Sequence, residues 1–272
     1  MAGEPVLVLG ATGRTGRRVA ARLRVAGETV RGVARGTDPA FDWAQPQTWE
    51  PALAGVERMY LMAPDGVAVD PAFVRAAVDA GVRRIVLLSS RAIETMGDER
   101  LLAAEATVRA SGAEWTIVRP DWIDQNFDEG FLAPAVGFGL VTVPVGDVRT
   151  PFVDAEDIAA VVVAALTQDG HGGRTYEVTG PRALSFAEAT AIVARAAQRP
   201  VAFDGSGEAY AAAMRGLGMP EEQTQAEIAA FAALAAEGDQ APTGDVERVT
   251  GRPPTAFEEY AAAAAARGAW RD

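Results

Sequence analysis

The chain predicts an α/β fold, with a parallel sheet covered by helices on both faces and a smaller, mainly helical C-terminal lobe. Three observations carry this. Val6-Leu7-Val8-Leu9 is an unbroken apolar run, as in a strand buried on both faces, and it breaks at once into Gly10-Ala11-Thr12-Gly13-Arg14-Thr15-Gly16 and an amphipathic helix. Further apolar runs then alternate with helical periods up to Pro120, which calls for right-handed crossovers between parallel strands. Beyond Pro120 the alternation stops, and residues 208–267 read as helical. The first strand, turn and helix make the core Rossmann-type. Gly10 permits the turn, Gly13 lets backbone approach a phosphate and Gly16 lets the helix close on the sheet, with its free N–H groups aimed at a pyrophosphate.

In chain order, Glu28 to Arg35 reads as the second strand, Phe41-Asp42-Trp43 as a short third and Thr48 to Leu53 as a short helix. Val56 to Pro64 follows as a fourth strand, then a helix from Val69 to Ala80 and a fifth strand from Arg84 to Ser90. Asp98 to Ser111 is a helix stopped by Gly112, and Trp115 to Pro120 is a sixth strand. A Gly/Pro-rich passage leads to Asp154, which caps a helix from Ala155 to Leu166. Thr175 to Thr179 is a strand, Ser185 caps another helix, and Val201-Ala202-Phe203 is a short strand. Breaks at Gly216-Leu217-Gly218, Gly238-Asp239 and Gly251 to Pro254 divide the helical tail. Residues 1–150 are expected to hold the dinucleotide-binding core, and 151–272 to return to it and form the substrate lobe.

Composition narrows the chemistry. A net charge of −12 over 272 residues argues against nucleic acid or an anionic membrane as partner. No apolar run reaches the length of a span and the N-terminus has no signal pattern, so a cytoplasmic protein, monomer or homodimer, is expected. There is no cysteine. All 25 basic residues are arginine, so a Schiff base and a Tyr-x-x-x-Lys pair are excluded. His171 is the sole histidine, which excludes a histidine-built metal site or serine triad, and no metal is expected.

In open α/β sheets ligands lie beyond the carboxyl ends of the strands. Those ends nominate Gly10, Thr12, Gly13, Arg14, Thr15, Gly16, Arg35, Ala63, Pro64, Ser89 and Pro120 for the cofactor. An acidic residue at the end of the second strand would favour NAD. Arg35 stands there instead, with Arg14 in the turn, and two guanidinium groups favour the 2′-phosphate of NADP(H); the alternative is that Arg35 is a solvated strand-end charge. Asp121 and Ser90 are the catalytic candidates. Asp121, beside Trp122 and Phe127, either holds a substrate cation or donates a proton, or Asp121 and Asp124 merely cap a helix starting near Ile123. Ser89 and Ser90 either bind the carboxamide or substrate, or satisfy backbone. Arg91, Trp122, Asn126, Phe127, Tyr210 and Met214 are expected to line the substrate side, though at helical spacing Tyr210 and Met214 also suit a core.

Gly10 to Gly16, Ser89-Ser90, Arg119 to Phe127 and Phe152 to Ala159 together resemble the NmrA-like atypical short-chain dehydrogenase/reductases. Phe41-Asp42-Trp43, Gly218-Met219-Pro220 and Thr250 to Phe257 look most like words of the ergot alkaloid reductases, the agroclavine and festuclavine dehydrogenases. The likeness spans nearly the whole chain. It implies NADPH-dependent hydride transfer to an imine, iminium or conjugated C=C or C=O bond of a small, secondary-metabolite-like molecule. The superfamily's usual proton donor is a tyrosine assisted by lysine; none of Tyr60, Tyr176, Tyr210 or Tyr260 falls in the helix where that pair would sit. An iminium carbon already carries the charge that accepts hydride, so it needs positioning more than an acid. The resemblance also admits a non-catalytic NADP(H)-sensing regulator, and the fold admits a non-redox isomerase or cyclase.

Overall fold

The computed structural model describes residues 4–271. Six strands make one parallel sheet: β1 (Val6–Leu9), β2 (Val30–Val33), β3 (Arg58–Leu61), β4 (Arg84–Leu88), β5 (Glu114–Pro120) and, after two short lobe strands, β8 (Arg174–Val178). Their spatial order is β2-β1-β3-β4-β5-β8, and every neighbouring pair is parallel. The direction of chain progress reverses at β1, so the crevice for a ligand opens above its carboxyl end. Both faces of the sheet are buried. Leu7 and Leu9 point with Leu61, Leu87 and Ile117 into one layer, against α2 (Trp49–Leu53), α3 (Pro71–Asp79) and α4 (Glu99–Arg109). Val6 and Val8 point with Val86, Val118 and Val178 into the other, against α1 (Arg14–Val25), α6 (Ala155–Thr167) and α10 (Asp245–Thr250). Burial of both faces is why these strands read as unbroken apolar runs.

The rest of the chain builds the lobe: α5 (Ala133–Phe138), β6 (Leu140–Thr142), β7 (Arg149–Thr150), β9 (Leu184–Ser185), α7 (Phe186–Ala197), β10 (Ala202–Asp204), α8 (Gly207–Gly216), α9 (Glu221–Ala236) and α11 (Phe257–Ala266). β6 pairs with β10 and β7 with β9. A third core holds the lobe together through Phe127, Phe152, Phe186, Phe257 and Tyr260, whose rings meet edge to face at about 5–6 Å. Segments from both sides of residue 150 contribute to each half: α6, β8 and α10 join the sheet layers, whereas α5 and β6 belong to the lobe.

Two local expectations are corrected. Phe41-Asp42-Trp43 is not a strand but a loop. Its rings pack edge-on against Phe73 at 5.2 and 5.1 Å, so the apolar run plugs the layer under α3 instead of extending the sheet. Asp124 does not cap a helix: residues 124–126 form a single 3₁₀ turn capped at Ile123, and the Asp124 carboxyl turns inward, fully buried, with neither oxygen hydrogen-bonded.

Candidate functional site

The glycine turn can be tested for fit to a dinucleotide. Gly10 has φ +65°, which a side chain rarely tolerates, and a Cβ on Gly16 would lie 2.2 Å from the Gly10 carbonyl oxygen. Only glycine at 16 lets α1 start this close to β1. The Gly13 N–H donates back to Gly10 O at 2.8 Å, and the amides of Arg14, Thr15 and Gly16 have no backbone acceptor among the described residues. They form the open positive end of a twelve-residue helix, next to exposed Thr12 and Gly13. Thr15 is buried, and its hydroxyl accepts a hydrogen bond from Tyr60 at 2.9 Å. Arg35 is exposed past the end of β2, with no side-chain partner among the described residues. Ala63 and the exposed Pro64 follow β3. Beyond them a depression of about 470 Å³ is lined by Trp43, Val67 and Val69 among others. Open amides, room for backbone approach and an uncommitted guanidinium fit a phosphate-bearing dinucleotide.

The serines at the end of β4 do other work. Ser89 donates to Glu105 of α4 at 2.6 Å, turning its hydroxyl beneath the helix, and Ser90 makes a 3.3 Å contact to the Arg91 carbonyl. Glu105 is fully buried and takes two bonds from Arg119, each 2.7 Å, with Arg109 at 2.9 Å. Burial alone would raise its carboxyl, but Arg119, Ser89 and Arg109 outweigh it and hold the group below its ordinary value. Arg119 also reaches Glu94 at 2.8 Å, so this network ties the ends of β4 and β5 to α4. Sequence reading missed Glu105 and Arg119. The available signal was an acid set beside Ala104 and Val108 on the buried face of α4.

Asp121 follows β5 and is almost enclosed. Its carboxylate accepts the Trp122 N–H at 2.7 Å, the Thr150 hydroxyl and Arg91 Nη1 at 3.0 Å. Burial pushes its carboxyl up, against the pull of those three partners. Arg91 is shared further, with Glu177 at 3.2 Å and the Ala241 carbonyl at 3.3 Å. Asp121 is thus a knot that fixes Trp122, and in this arrangement its charge is already spent on Arg91.

Trp122 faces the lobe, stacked on Phe231 at 6.0 Å and 23°, edge-on to Phe186 at 5.0 Å and 6.2 Å from the exposed Phe131. Tyr210 lies against Phe231 and donates to Glu227 at 2.5 Å, and half-buried Met214 packs on the same cluster. Two of the expected substrate residues are engaged by the protein itself. Phe127 is fully buried in the lobe core, packed on Phe152 and Phe257. Buried Asn126 accepts a hydrogen bond from Arg14 of the glycine turn. Of the four phenols, Tyr60 bonds Thr15, Tyr176 bonds His171, Tyr210 bonds Glu227 and Tyr260 bonds Asp128. Burial raises all four above the ordinary tyrosine value. Among the described residues no group of three or more carboxylate or histidine side chains is placed to hold a metal ion, and no helix is long and apolar enough to cross a membrane.

Comparison with known proteins agrees with this geometry. Residues 10–169 match the model of a family described as NAD(P)H-binding. The chain is similar to an NAD(P)H azoreductase of Xenophilus azovorans, 35% identical over 96% of this chain and 98% of that one. Similarity to festuclavine synthase I of Penicillium roqueforti is lower, 27% identical over 94% of this chain and 96% of that one. Among solved structures, the Escherichia coli NADPH-dependent quinone oxidoreductase QOR2 in complex with NADPH shares the fold, with a TM-score of 0.78 at 21% identity over 95% of this chain and 99% of that one. Taken with the glycine turn and the open amides above it, these matches mean that the chain belongs to the NAD(P)H-binding family, as an NAD(P)H-dependent oxidoreductase.

Proposed function

We propose that this protein is an NADPH-dependent reductase whose substrate is a small, electron-poor acceptor, an imine, iminium or conjugated C=C or C=O bond, reduced without a tyrosine–lysine pair. The observation that carries the proposal is the state of the four phenols: each is bonded to a protein group and raised by burial, and the chain has no lysine to lower one. A tyrosine with raised pKa and a committed hydroxyl is a poor general acid. An acceptor that arrives activated does not require one.

When bound, NADPH supplies the hydride. The residues around it would bind and orient it. Gly10 to Gly16 would cradle the pyrophosphate, and the groove by Trp43 and Val67 would take the adenine. Arg35 would supply a charge-assisted contact to the 2′-phosphate, which would favour NADPH over NADH. Trp122 and exposed Phe131, backed by buried Phe231, would offer an aromatic wall to an extended substrate, with Trp122 held by the Asp121–Arg91–Thr150 knot. Relatives named as an NAD(P)H azoreductase and as a festuclavine synthase support a small, conjugated acceptor and a place in secondary metabolism.

The test is NADPH oxidation with a panel of acceptors: a cyclic iminium, an azo dye, a quinone and an unactivated ketone. Turnover of at least one activated acceptor with none of the ketone is expected. Turnover of the ketone at a rate matching the best activated acceptor would overturn the proposal, because that reaction needs the missing acid.

A further inference from the structure

The start of α1 carries three arginines, and their partners differ in charge. Arg17 is paired with Glu129 at 2.5 Å. Arg18 is paired with Glu129 at 2.9 Å and with Glu156 at 3.2 Å. Arg14 alone is held by a neutral group, the Oδ1 of Asn126, through one Nη1 donor; its remaining guanidinium donors have no partner among the described residues. The seat beneath it is specific. A Cβ on Gly130 would fall 2.3 Å from Arg14 Nη1 and 2.9 Å from Asn126 Oδ1. Gly130 has no left-handed backbone to justify glycine; the missing side chain leaves room both for the Asn126 backbone, whose Cα would lie 2.8 Å from that Cβ, and for the guanidinium above it.

A carboxylate at 126 would neutralise Arg14 as Glu129 neutralises its neighbours. An amide orients the guanidinium and leaves its charge available. Arg14 lies beside the open amides of Arg14, Thr15 and Gly16, where an anion is already favoured. The segment that holds it, residues 126–130, lies a few residues beyond Trp122 and leads to Phe131, whose ring is tilted at 48° and 6.2 Å from that of Trp122 in the aromatic wall.

We propose that Arg14 is a positioning residue held in reserve by Asn126 and Gly130 for a phosphate of the cofactor, and that through it cofactor binding fixes the substrate-side segment 124–131. The proposal rests on the cofactor site described above. It joins two sites through one side chain: a phosphate that engages the free donors of Arg14 also holds Asn126 and Gly130 in place, so the aromatic wall is set once cofactor is bound.

The experiment measures NADPH and NADH affinity by calorimetry, melting temperature, and hydrogen exchange of segment 124–131 with and without saturating NADPH. Wild type, Asn126→Asp, Gly130→Ala, Arg14→Ala and Arg17→Ala are compared. Asn126→Asp is expected to weaken NADPH binding about tenfold or more while keeping the melting temperature, since the new ion pair anchors the loop but consumes the charge. Gly130→Ala, whose Cβ presses on both the guanidinium and the Asn126 backbone and so shifts the whole seat, is expected to weaken binding severalfold. Arg17→Ala should stay within about twofold of wild type, because Arg18 still holds Glu129. Equal losses for NADPH and NADH assign Arg14 to the pyrophosphate, and a loss confined to NADPH assigns it to the 2′-phosphate; either supports the proposal. NADPH should slow exchange in 124–131 in wild type but not in cofactor-saturated Arg14→Ala. If Asn126→Asp and Gly130→Ala both bind NADPH like wild type, or if Arg14→Ala keeps the NADPH-dependent protection, the proposal is wrong. Failure of the wild type itself to bind either nucleotide would overturn the cofactor site along with it.

Discussion

Replacing Asp124 with asparagine should make the protein's stability less sensitive to alkali. The Asp124 carboxyl is fully buried with neither oxygen hydrogen-bonded. Burial pushes its pKa well above the ordinary carboxylate value of 3.8, and the nearby carboxylates of Asp154, Asp157, Asp128 and Glu258 push it further. The folded chain therefore keeps a proton that the unfolded chain gives up near pH 4. Its contribution to stability is intact below that pH and is lost as pH rises toward and through the folded pKa. One retained proton corresponds to about 1.4 kcal/mol per pH unit, so between pH 5 and 7 the asparagine variant should gain up to about 2.7 kcal/mol relative to wild type. Asparagine is neutral at every pH and keeps the shape of the side chain. The groups with lowered pKa, such as Glu105 and Glu129, are common to both chains and cancel in the difference. Urea unfolding of both proteins at pH 5, 6 and 7 gives the result directly. Stability curves that run parallel from pH 5 to 7 would refute the reasoning, since they would mean that Asp124 is ionised in the fold.

Three further outcomes are expected. Arg35→Ala should weaken NADPH binding about tenfold or more, the loss of one charge-assisted hydrogen bond of roughly 1.5–3 kcal/mol, with little change for NADH; calorimetry with both nucleotides checks it. Glu105→Gln leaves Arg119 with Glu94 alone and should cost about 3 kcal/mol at pH 7. Because the folded pKa of Glu105 lies below its ordinary 4.5, the wild-type advantage should persist above that value and shrink as pH falls below it, as thermal melts at pH 7 and pH 4 would record. Asp121→Asn keeps an acceptor for Trp122 and Thr150 but loses the ion pair to Arg91, so steady-state kinetics should show KM rising more than kcat falls.

The sheet was legible because a strand buried on both faces has no polar alternation to conceal it: Val6–Leu9 and Arg84–Leu88 stand out as apolar runs bounded by turns. The glycine turn was legible because Gly10 and Gly16 are dictated by backbone geometry within one short stretch. Phe41-Asp42-Trp43 was misread because an apolar triplet cannot say whether it pairs by backbone or packs by side chain, and Phe73, which decides the matter, lies some thirty residues away. The site was less legible for the same reason. Ser89 is at a strand end, as expected, but its hydroxyl goes to Glu105, a residue of the next helix that also answers to Arg119. Asn126 and Phe127 adjoin in sequence yet point to different places, one to the cofactor turn and one to the lobe core, because a 3₁₀ turn at 124–126 splays them. Which group spends the charge of Asp121 or the donors of Arg14 depends on long-range partners that no spacing rule reveals.

The most direct test of the account is hydride transfer in the four single Tyr→Phe variants, followed with deuterated NADPH and whichever activated acceptor the panel identifies. The account predicts that deuterium leaves NADPH, and stays on the product where the acceptor takes hydride at carbon, with rates in every variant within about tenfold of wild type, roughly 1.4 kcal/mol of barrier, because no phenol donates the proton. Collapse of turnover in one variant, with its cofactor affinity and melting temperature unchanged, would contradict it and identify that tyrosine as the acid.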